Sequence, residues 1–269
     1  MKTRTYSLKL FIAAFVMGAT ILTPPFAGHA GAATATNVPA CQAVLLIGHR
    51  GTSVGVARNN SLAAFKRAVA DGAEMIEMDI RRTKPVNGSG TWVVWHDATI
   101  KGKKITSYTY AQLKAIQPDL MTIREAIAYI STTDRRMEVE VKPASAGEGS
   151  FKYFQELVVQ YNMQERFQLS SFDTTNLIRA KKYGLKTVYL ANTPTAPATA
   201  RQYATIVHLN KTLVTSKAMV DAYHALGIQV YVYTMDTVTE WSRYLGYGVD
   251  GITTNLAATY TRYCNALQV

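Results

Sequence analysis

The sequence has few cysteines and few acidic residues, and beyond its first segment it has no long apolar run. Of its 269 residues two are cysteines, and 18 acidic residues stand against 29 lysines and arginines, a formal net charge of +11. No segment after residue 22 is apolar enough to cross a bilayer, so the mature chain is expected to be soluble. No basic–aromatic module is present, and nucleic acid is not expected as a partner.

The first forty residues differ from the rest in charge and hydropathy. A positive start precedes an uncharged apolar stretch at 10–22, which is followed by prolines, alanines and glycines. This order is typical of a secretory signal peptide, because the apolar stretch is short for a membrane span; an uncleaved anchor is the alternative. We expect a signal peptide at 1–32 with cleavage between 30 and 35, an extension at 33–42, a domain at 43–269, and a secreted, extracellular protein.

The two cysteines are Cys41, just before the first predicted strand, and Cys264, near the last residue. An even count in an exported chain favours a disulfide, with two free thiols as the alternative. Removing residues 1–32 takes away three positive charges and leaves about +8. A basic balance suits anionic partners such as phosphate esters, acidic lipid surfaces or wall polymers.

Short apolar strands alternate with helical patterns along the mature chain. Strands are predicted at residues 44–47, 75–80, 92–95, 137–141, 167–170, 187–190, 205–209, 228–233 and 251–254. This alternation predicts an α/β protein with a mostly parallel sheet, and the length fits a single-domain, irregular (β/α)8 TIM-type barrel best. The irregularity lies between Ile80 and Trp92, where Pro85 and Asn87-Gly88 predict a hairpin-like return instead of a crossover helix.

Charged residues stand near the carboxyl ends of the early strands, where barrel enzymes place their active sites. The second strand carries Glu77 and Asp79, and the fourth carries Glu138, Glu140 and Lys142, each set on one face because of the two-residue period. Inward carboxylates require a compensating cation. Glu77, Asp79 and Glu140 would supply three hard oxygen ligands, which suit one Mg²⁺ or Ca²⁺ ion. An exposed edge face is the alternative for either strand taken alone.

Two histidines follow apolar strands in the same way. His49 belongs to His49-Arg50-Gly51 after the first strand, and His96 belongs to His96-Asp97 after the third. A pair of imidazoles beside a metal suits proton transfer to and from a phosphodiester. Which histidine is acid and which is base stays open at this point.

These motifs, in this order and spacing, resemble the glycerophosphodiester phosphodiesterase family of the phosphatidylinositol-phospholipase-C-like barrel superfamily. The resemblance continues through Ser170-Ser171-Phe172, Tyr231-Val232-Tyr233-Thr234 and Gly248-Val249-Asp250-Gly251-Ile252, and covers about residues 44–257. By position, it assigns the metal ligands to Glu77, Asp79 and Glu140, the catalytic pair to His49 and His96, and the phosphate-binding cations to Arg50 and Lys142.

The chain departs from the family pattern at a few positions. Asn59-Asn60-Ser61 replaces the usual Glu-Asn-Thr, Tyr233 replaces a Trp on the substrate wall, and Asn255 stands where Asp is common. Asn60 is predicted either to line the substrate with Tyr233 or to cap the first helix.

The resemblance implies a secreted, metal-dependent phosphodiesterase that hydrolyses glycerophosphodiesters to glycerol 3-phosphate and an alcohol. One alternative is a phospholipase D-like enzyme that acts on lysophospholipid or sphingolipid head groups through a cyclic phosphate. Another is a non-catalytic barrel that binds phosphodiesters. The expected partner is a small-molecule or lipid-derived phosphodiester, with an anionic membrane or wall-polymer surface as a further candidate.

Overall fold

A computed structural model describes residues 41–52, 54–56, 58–142 and 146–267. The signal peptide at 1–32, its cleavage region and the extension up to residue 40 lie outside these residues. Within them, no helix combines the length and the apolar character needed to span a membrane.

The described residues form strands and helices in an almost regular alternation. The strands are β1 (Leu45–Gly48), β2 (Met75–Arg82), β3 (Trp92–Val94), β4 (Thr99–Ile100), β5 (Lys103–Lys104), β6 (Arg136–Val141), β7 (Phe167–Ser171), β8 (Thr187–Ala191), β9 (Ile206–Asn210), β10 (Gln229–Tyr233) and β11 (Gly251–Thr254). The helices are α1 (Leu62–Ala70), α2 (Tyr110–Ile116), α3 (Ile123–Ser131), α4 (Glu148–Gln160), α5 (Thr174–Lys182), α6 (Pro197–Ala200), α7 (Lys217–His224), α8 (Val238–Tyr247) and α9 (Ala257–Ala266).

Eight of these strands close into a parallel barrel in the order β1, β2, β6, β7, β8, β9, β10, β11, with β11 pairing back to β1. Outward-facing apolar side chains of the strands pack against the surrounding helices in one large core. A smaller inward cluster of Ile47, Met75, Val188, Ile206 and Tyr231 fills part of the barrel interior. The predicted single-domain barrel is confirmed.

The predicted irregularity after the second strand is an antiparallel hairpin. β3 folds back on the end of β2, with Ile80 opposite Val94 and Arg82 opposite Trp92. Asn87 and Gly88 form its turn with φ angles of 52° and 84°, a region that asparagine and glycine tolerate. Between this hairpin and α3, β4, β5 and α2 form a small cap, which was not predicted because two-residue strands show no period.

The start of α1 corrects one prediction. Ser61, not Asn60, caps the helix, because the Ser61 hydroxyl accepts the Ala64 N–H at 3.1 Å. Asn60 has a left-handed φ of 51°, and its side chain turns away from the helix towards Asp79.

The two cysteines form a disulfide, as predicted. Cys41 and Cys264 are bonded with a Cα–Cα distance of 5.5 Å and a sequence separation of 223 residues. The bond joins the segment before β1 to α9, so it holds both ends of the described chain against the same side of the barrel.

We expect loss of this disulfide to destabilise the fold, because it closes a very long loop. Reduction, or the double substitution Cys41→Ser/Cys264→Ser, should lower the free energy of unfolding by about 2–5 kcal/mol. Urea titration with and without dithiothreitol measures the effect, and the double variant serves as the control because reductant should leave it unchanged. Equal midpoints for the oxidised and reduced protein would contradict the prediction.

Candidate active site

The turn after β1 directs His49 into the mouth of the barrel. Arg50 has a φ of 54° and Gly51 a φ of 81°. A Cβ on Gly48 would lie 2.6 Å from the Gly51 carbonyl oxygen, and one on Gly51 would lie 2.7 Å from the Ala64 backbone, so both positions require glycine. The Arg50 N–H donates to Glu77 Oε2 at 2.8 Å, which ties the turn to β2.

The three predicted metal ligands meet at the same mouth. Glu77, Asp79 and Glu140 are buried, and one carboxylate oxygen from each lies within 4.8 Å of the others. Their convergence follows from strand geometry: Glu77 and Asp79 share one face of β2, and the parallel register sets Asp79 beside Glu140 on β6. Such a set of hard oxygen donors can hold a divalent cation.

Asp79 is the carboxylate that the protein itself neutralises. Lys142 Nζ lies 2.8 Å from Asp79 Oδ1 and 2.7 Å from Glu140 Oε2, and Arg50 Nε lies 3.2 Å from Asp79 Oδ2. Burial alone would raise the pKa of Asp79, but the charges of Lys142 and Arg50 outweigh it and lower that pKa to about 2.

The other two carboxylates remain under-compensated. Burial and repulsion from Asp79 raise the pKa of Glu77 well above its usual value and raise that of Glu140 to about 7. Glu140 Oε1 is buried and has no hydrogen-bond partner among the described residues. A buried Glu140 oxygen without a partner and two carboxyls with raised pKa values fit a site built for a cation.

The two predicted substrate-wall residues have different positions. Asn60 Nδ2 donates to Asp79 Oδ2 at 2.7 Å, and the Asp79 N–H donates to Asn60 Oδ1 at 3.2 Å. Asn60 therefore holds Asp79 in place from behind and does not line the cavity. Tyr233 does line it, with its hydroxyl donating to the Ala191 carbonyl at 3.1 Å.

Asn255 and Asp236 fix the protonation pattern of His49. Asn255 Nδ2 and its backbone N–H both donate to the Asp236 carboxylate, at 2.7 and 2.8 Å. Because a carboxylate only accepts, Asn255 must turn Oδ1 towards His49 Nδ1, 2.8 Å away. His49 Nδ1 therefore carries the proton, and in the neutral ring Nε2 has a free lone pair. Burial and the nearby Arg50 charge lower the pKa of His49 to about 4, so the ring is neutral at neutral pH.

His96 stands at the rim in a more open setting. Its side chain is 36% exposed, and its Nδ1 lies 2.8 Å from Asp97 Oδ1. The His96 backbone carbonyl accepts from Arg81 Nε at 2.7 Å, which anchors the turn after β3. The Asp97 carboxylate can accept the Nδ1 proton of this ring.

Below the carboxylates lies a buried network that the sequence analysis missed. His208 on β9 places Nδ1 2.9 Å from Glu138 Oε1 and Nε2 2.8 Å from Thr253 Oγ1. All three side chains line the floor of the cavity. The sequence signal was present, since a histidine at an alternating position of a barrel strand must face either the interior or the helices.

One cavity of about 290 Å³ lies at the carboxyl ends of the strands. It brings together His49, Arg50, Glu77, Asp79, His96, Glu140 and Lys142, which are all the predicted catalytic, phosphate-binding and metal-ligating residues. Phe172 and Leu190 supply an apolar part of its wall.

Comparison with known proteins identifies what this barrel is similar to. The model of the glycerophosphoryl diester phosphodiesterase family matches residues 49–259. A glycerophosphodiester phosphodiesterase of Caldanaerobacter subterraneus is 27% identical over 241 residues, which cover 78% of this chain and 93% of the relative.

Solved structures of similar fold include a glycerophosphodiester phosphodiesterase from Parabacteroides distasonis, with a TM-score of 0.73 and 23% identity over 84% of this chain and 99% of that one. An Oleispira antarctica phosphodiesterase in complex with the product sn-glycerol-3-phosphate has a TM-score of 0.71 and 21% identity, covering 82% and 96% of the two chains. At these identities the structural likeness shows the fold alone.

Because the pKa of Glu140 is raised, the stability of the protein without a bound cation should depend on pH. A carboxyl whose folded pKa is about 7 and whose usual value is 4.5 stabilises the fold fully below pH 4.5, and loses that contribution as the pH rises through 7. In EDTA, Glu140→Gln should therefore gain stability relative to the unsubstituted protein between pH 4.5 and 7, by up to about 3 kcal/mol. Urea titrations at pH 4.5, 5.5 and 7 test this.

Millimolar Ca²⁺ or Mg²⁺ provides the matched control. Either ion should stabilise the unsubstituted protein more at pH 7 than at pH 5 and should stabilise Glu140→Gln less, because one ligand charge is gone. A stability difference between the two proteins that stays constant with pH would show that Glu140 is ionised throughout.

Proposed function

Because the chain belongs to the glycerophosphoryl diester phosphodiesterase family, we propose that it hydrolyses glycerophosphodiesters to glycerol 3-phosphate and an alcohol, using one divalent cation and two histidines. Membership makes the chain a phosphoric diester hydrolase. The observation that carries the proposal is the cluster of buried carboxylates within 4.8 Å, in one cavity with both histidines.

Glu77, Asp79 and Glu140 would hold the cation, Mg²⁺ or Ca²⁺. When bound, such an ion supplies positive charge that stabilises the non-bridging oxygens of the diester. Arg50 and Lys142 line the same cavity, and their cations add to this stabilisation as charge builds on the phosphorus oxygens.

His49 is proposed as the general base. Its buried ring is neutral at neutral pH, its Nδ1 proton is fixed by Asn255, and its Nε2 can accept a proton from the attacking hydroxyl. As that proton moves to Nε2, the new P–O bond forms. A water molecule as the nucleophile gives direct hydrolysis.

His96 is proposed as the general acid. A positive ring at His96 is balanced by Asp97 and stands at the open rim, where the departing alcohol can reach solvent. Its Nε2 proton passes to the alkoxide oxygen as the P–O bond to the alcohol breaks. After product release, the proton gained at His49 returns to solvent and His96 is reprotonated.

The reaction and its dependence on these groups can be tested with glycerophosphocholine. Release of glycerol 3-phosphate should require a divalent cation and stop in EDTA. His49→Ala and His96→Ala should each lower kcat by about a hundredfold to ten thousandfold, because each removes one proton transfer. Coupled assay of glycerol 3-phosphate gives the rates.

His224→Gln is the matched control, since His224 is a surface histidine paired with Asp250 and does not line the cavity. This variant should retain the activity of the unsubstituted protein. Hydrolysis that persists in EDTA or in His49→Ala would refute the proposed chemistry. Phosphorus NMR of the product also separates direct hydrolysis from formation of a cyclic phosphate.

The roles of the two histidines are separable with an activated leaving group. p-Nitrophenolate departs without a proton, so a glyceryl p-nitrophenyl phosphate does not need the general acid. We expect His96→Ala to lose at least about tenfold less activity on this diester than on glycerophosphocholine, and His49→Ala to lose equally on both. The opposite pattern would exchange the two assignments.

The protein is further proposed to be exported. Support comes from the charge and hydropathy order of residues 1–32 and from the Cys41–Cys264 disulfide, which suits an oxidising compartment. Mass spectrometry of the protein from the culture medium of an expressing bacterium should give a mature start between residues 31 and 36. Full-length protein retained inside the cell would contradict export.

A further inference from the structure

A groove lined by cationic side chains lies beside the active-site cavity. Arg81, Arg82, Lys104 and Lys142 line it, its volume is about 370 Å³, and its described lining holds no aspartate or glutamate. Lys142 also lines the active-site cavity, so it stands between the groove and the site of reaction. The groove is not part of the site proposed above for the reacting phosphate.

Lys142 alone among these cations is neutralised. It pairs with Asp79 and Glu140, whereas Arg81, Arg82 and Lys104 make no ion pair with a carboxylate of the described residues. Arg82 Nε is buried and has no hydrogen-bond partner among the described residues. Arg82 Nη2 donates to Ser89 Oγ at the long distance of 3.4 Å. The Arg82 side chain is only partly buried, so the outer N–H groups of its guanidinium are available to an anionic ligand.

The two neighbouring lysines of this loop do not face the groove. Lys103 stands over the Tyr108 ring at 5.8 Å, and Lys101 Nζ donates to the Ile116 carbonyl at 2.7 Å. Neither lines the groove. Lys101, Lys103 and Lys104 are close in sequence, but of the three only Lys104 contributes to the groove.

The position of the groove indicates which part of a substrate would reach it. Arg81 follows Asp79 by two residues on the same face of β2, about 7 Å along the strand, and Arg82 comes next on the opposite face. Arg81 donates to the His96 carbonyl, so the groove adjoins the histidine proposed to protonate the departing alcohol. A group bound in the groove would thus belong to the alcohol arm of the diester, one short spacer away from the reacting phosphate.

We propose that this groove binds a second phosphate carried by the alcohol arm, so that the preferred substrates are glycerophosphodiesters whose alcohol is itself phosphorylated. This inference rests on the proposed function. The shared chemistry, a glycerol spacer between two phosphates, occurs both in a small deacylated lipid and in a repeat of a poly(glycerol phosphate) chain.

A pair of diesters that differ only in the second phosphate tests the proposal: glycerophosphoglycerol and glycerophosphoglycerol 3-phosphate. The unsubstituted, metal-loaded protein should show at least about tenfold higher kcat/KM for the phosphorylated diester, and added salt should reduce this preference. Arg82→Gln/Lys104→Gln, and in smaller measure Lys104→Gln alone, should lower the ratio of the two kcat/KM values. Lys103→Gln is the matched control and should keep the ratio. A short poly(glycerol phosphate) oligomer as a third substrate distinguishes the two sources. A kcat/KM higher than that for glycerophosphoglycerol 3-phosphate identifies the polymer as the preferred substrate, and an equal or lower value identifies the small diester.

Equal kcat/KM values for the two diesters would refute the second-phosphate site, and so would a preference that persists in the folded double variant. Either result would leave the proposed function unaffected. If neither diester is hydrolysed, the proposed function is refuted, and so is the substrate class that rests on it.

Discussion

Burial of several carboxylates at one barrel mouth is the constraint on which the site depends. Four acidic side chains of β2 and β6 are buried there, and each must be matched or kept from ionising. Glu138 is matched by His208, and Asp79 by Lys142. Glu77 and Glu140 have raised pKa values, because burial and repulsion from Asp79 outweigh the attraction that Lys142 exerts on Glu140. The fold thus neutralises Asp79 with Lys142 and Arg50 and leaves Glu77 and Glu140 incompletely compensated, which suits an added ion.

The same geometry gives the two histidines unlike surroundings. His49 follows a buried strand and is held by an amide whose orientation a carboxylate fixes, so burial lowers its pKa and one tautomer is selected. His96 follows the short, antiparallel β3, which ends at the rim, and its partner Asp97 is exposed. The different roles proposed for these two histidines therefore rest on the different strands that carry them.

Much of this could be predicted from the sequence, because it depends on local periods and on the rule that strand ends meet at one face. The barrel, the hairpin at Asn87-Gly88 and the convergence of Glu77 with Glu140 are of this kind. The rest depends on contacts between distant segments. Asn60 was interpreted as a cap or a substrate contact because its bond to Asp79 is invisible in the sequence, and nothing local separates Lys104 from Lys103.

Charge balance connects the site to the groove. Three carboxylates, one divalent cation and the side chains of Arg50 and Lys142 would leave one net positive charge around the reacting phosphate. A phosphodiester carries one negative charge, so the bound state of the site would be neutral and would have no positive charge left for a second phosphate. Further anionic groups on a substrate would need separate cations, placed far enough from the carboxylates to avoid being neutralised by them. Arg82 and Lys104 meet that condition, whereas Lys142 does not, because the carboxylates already hold its charge.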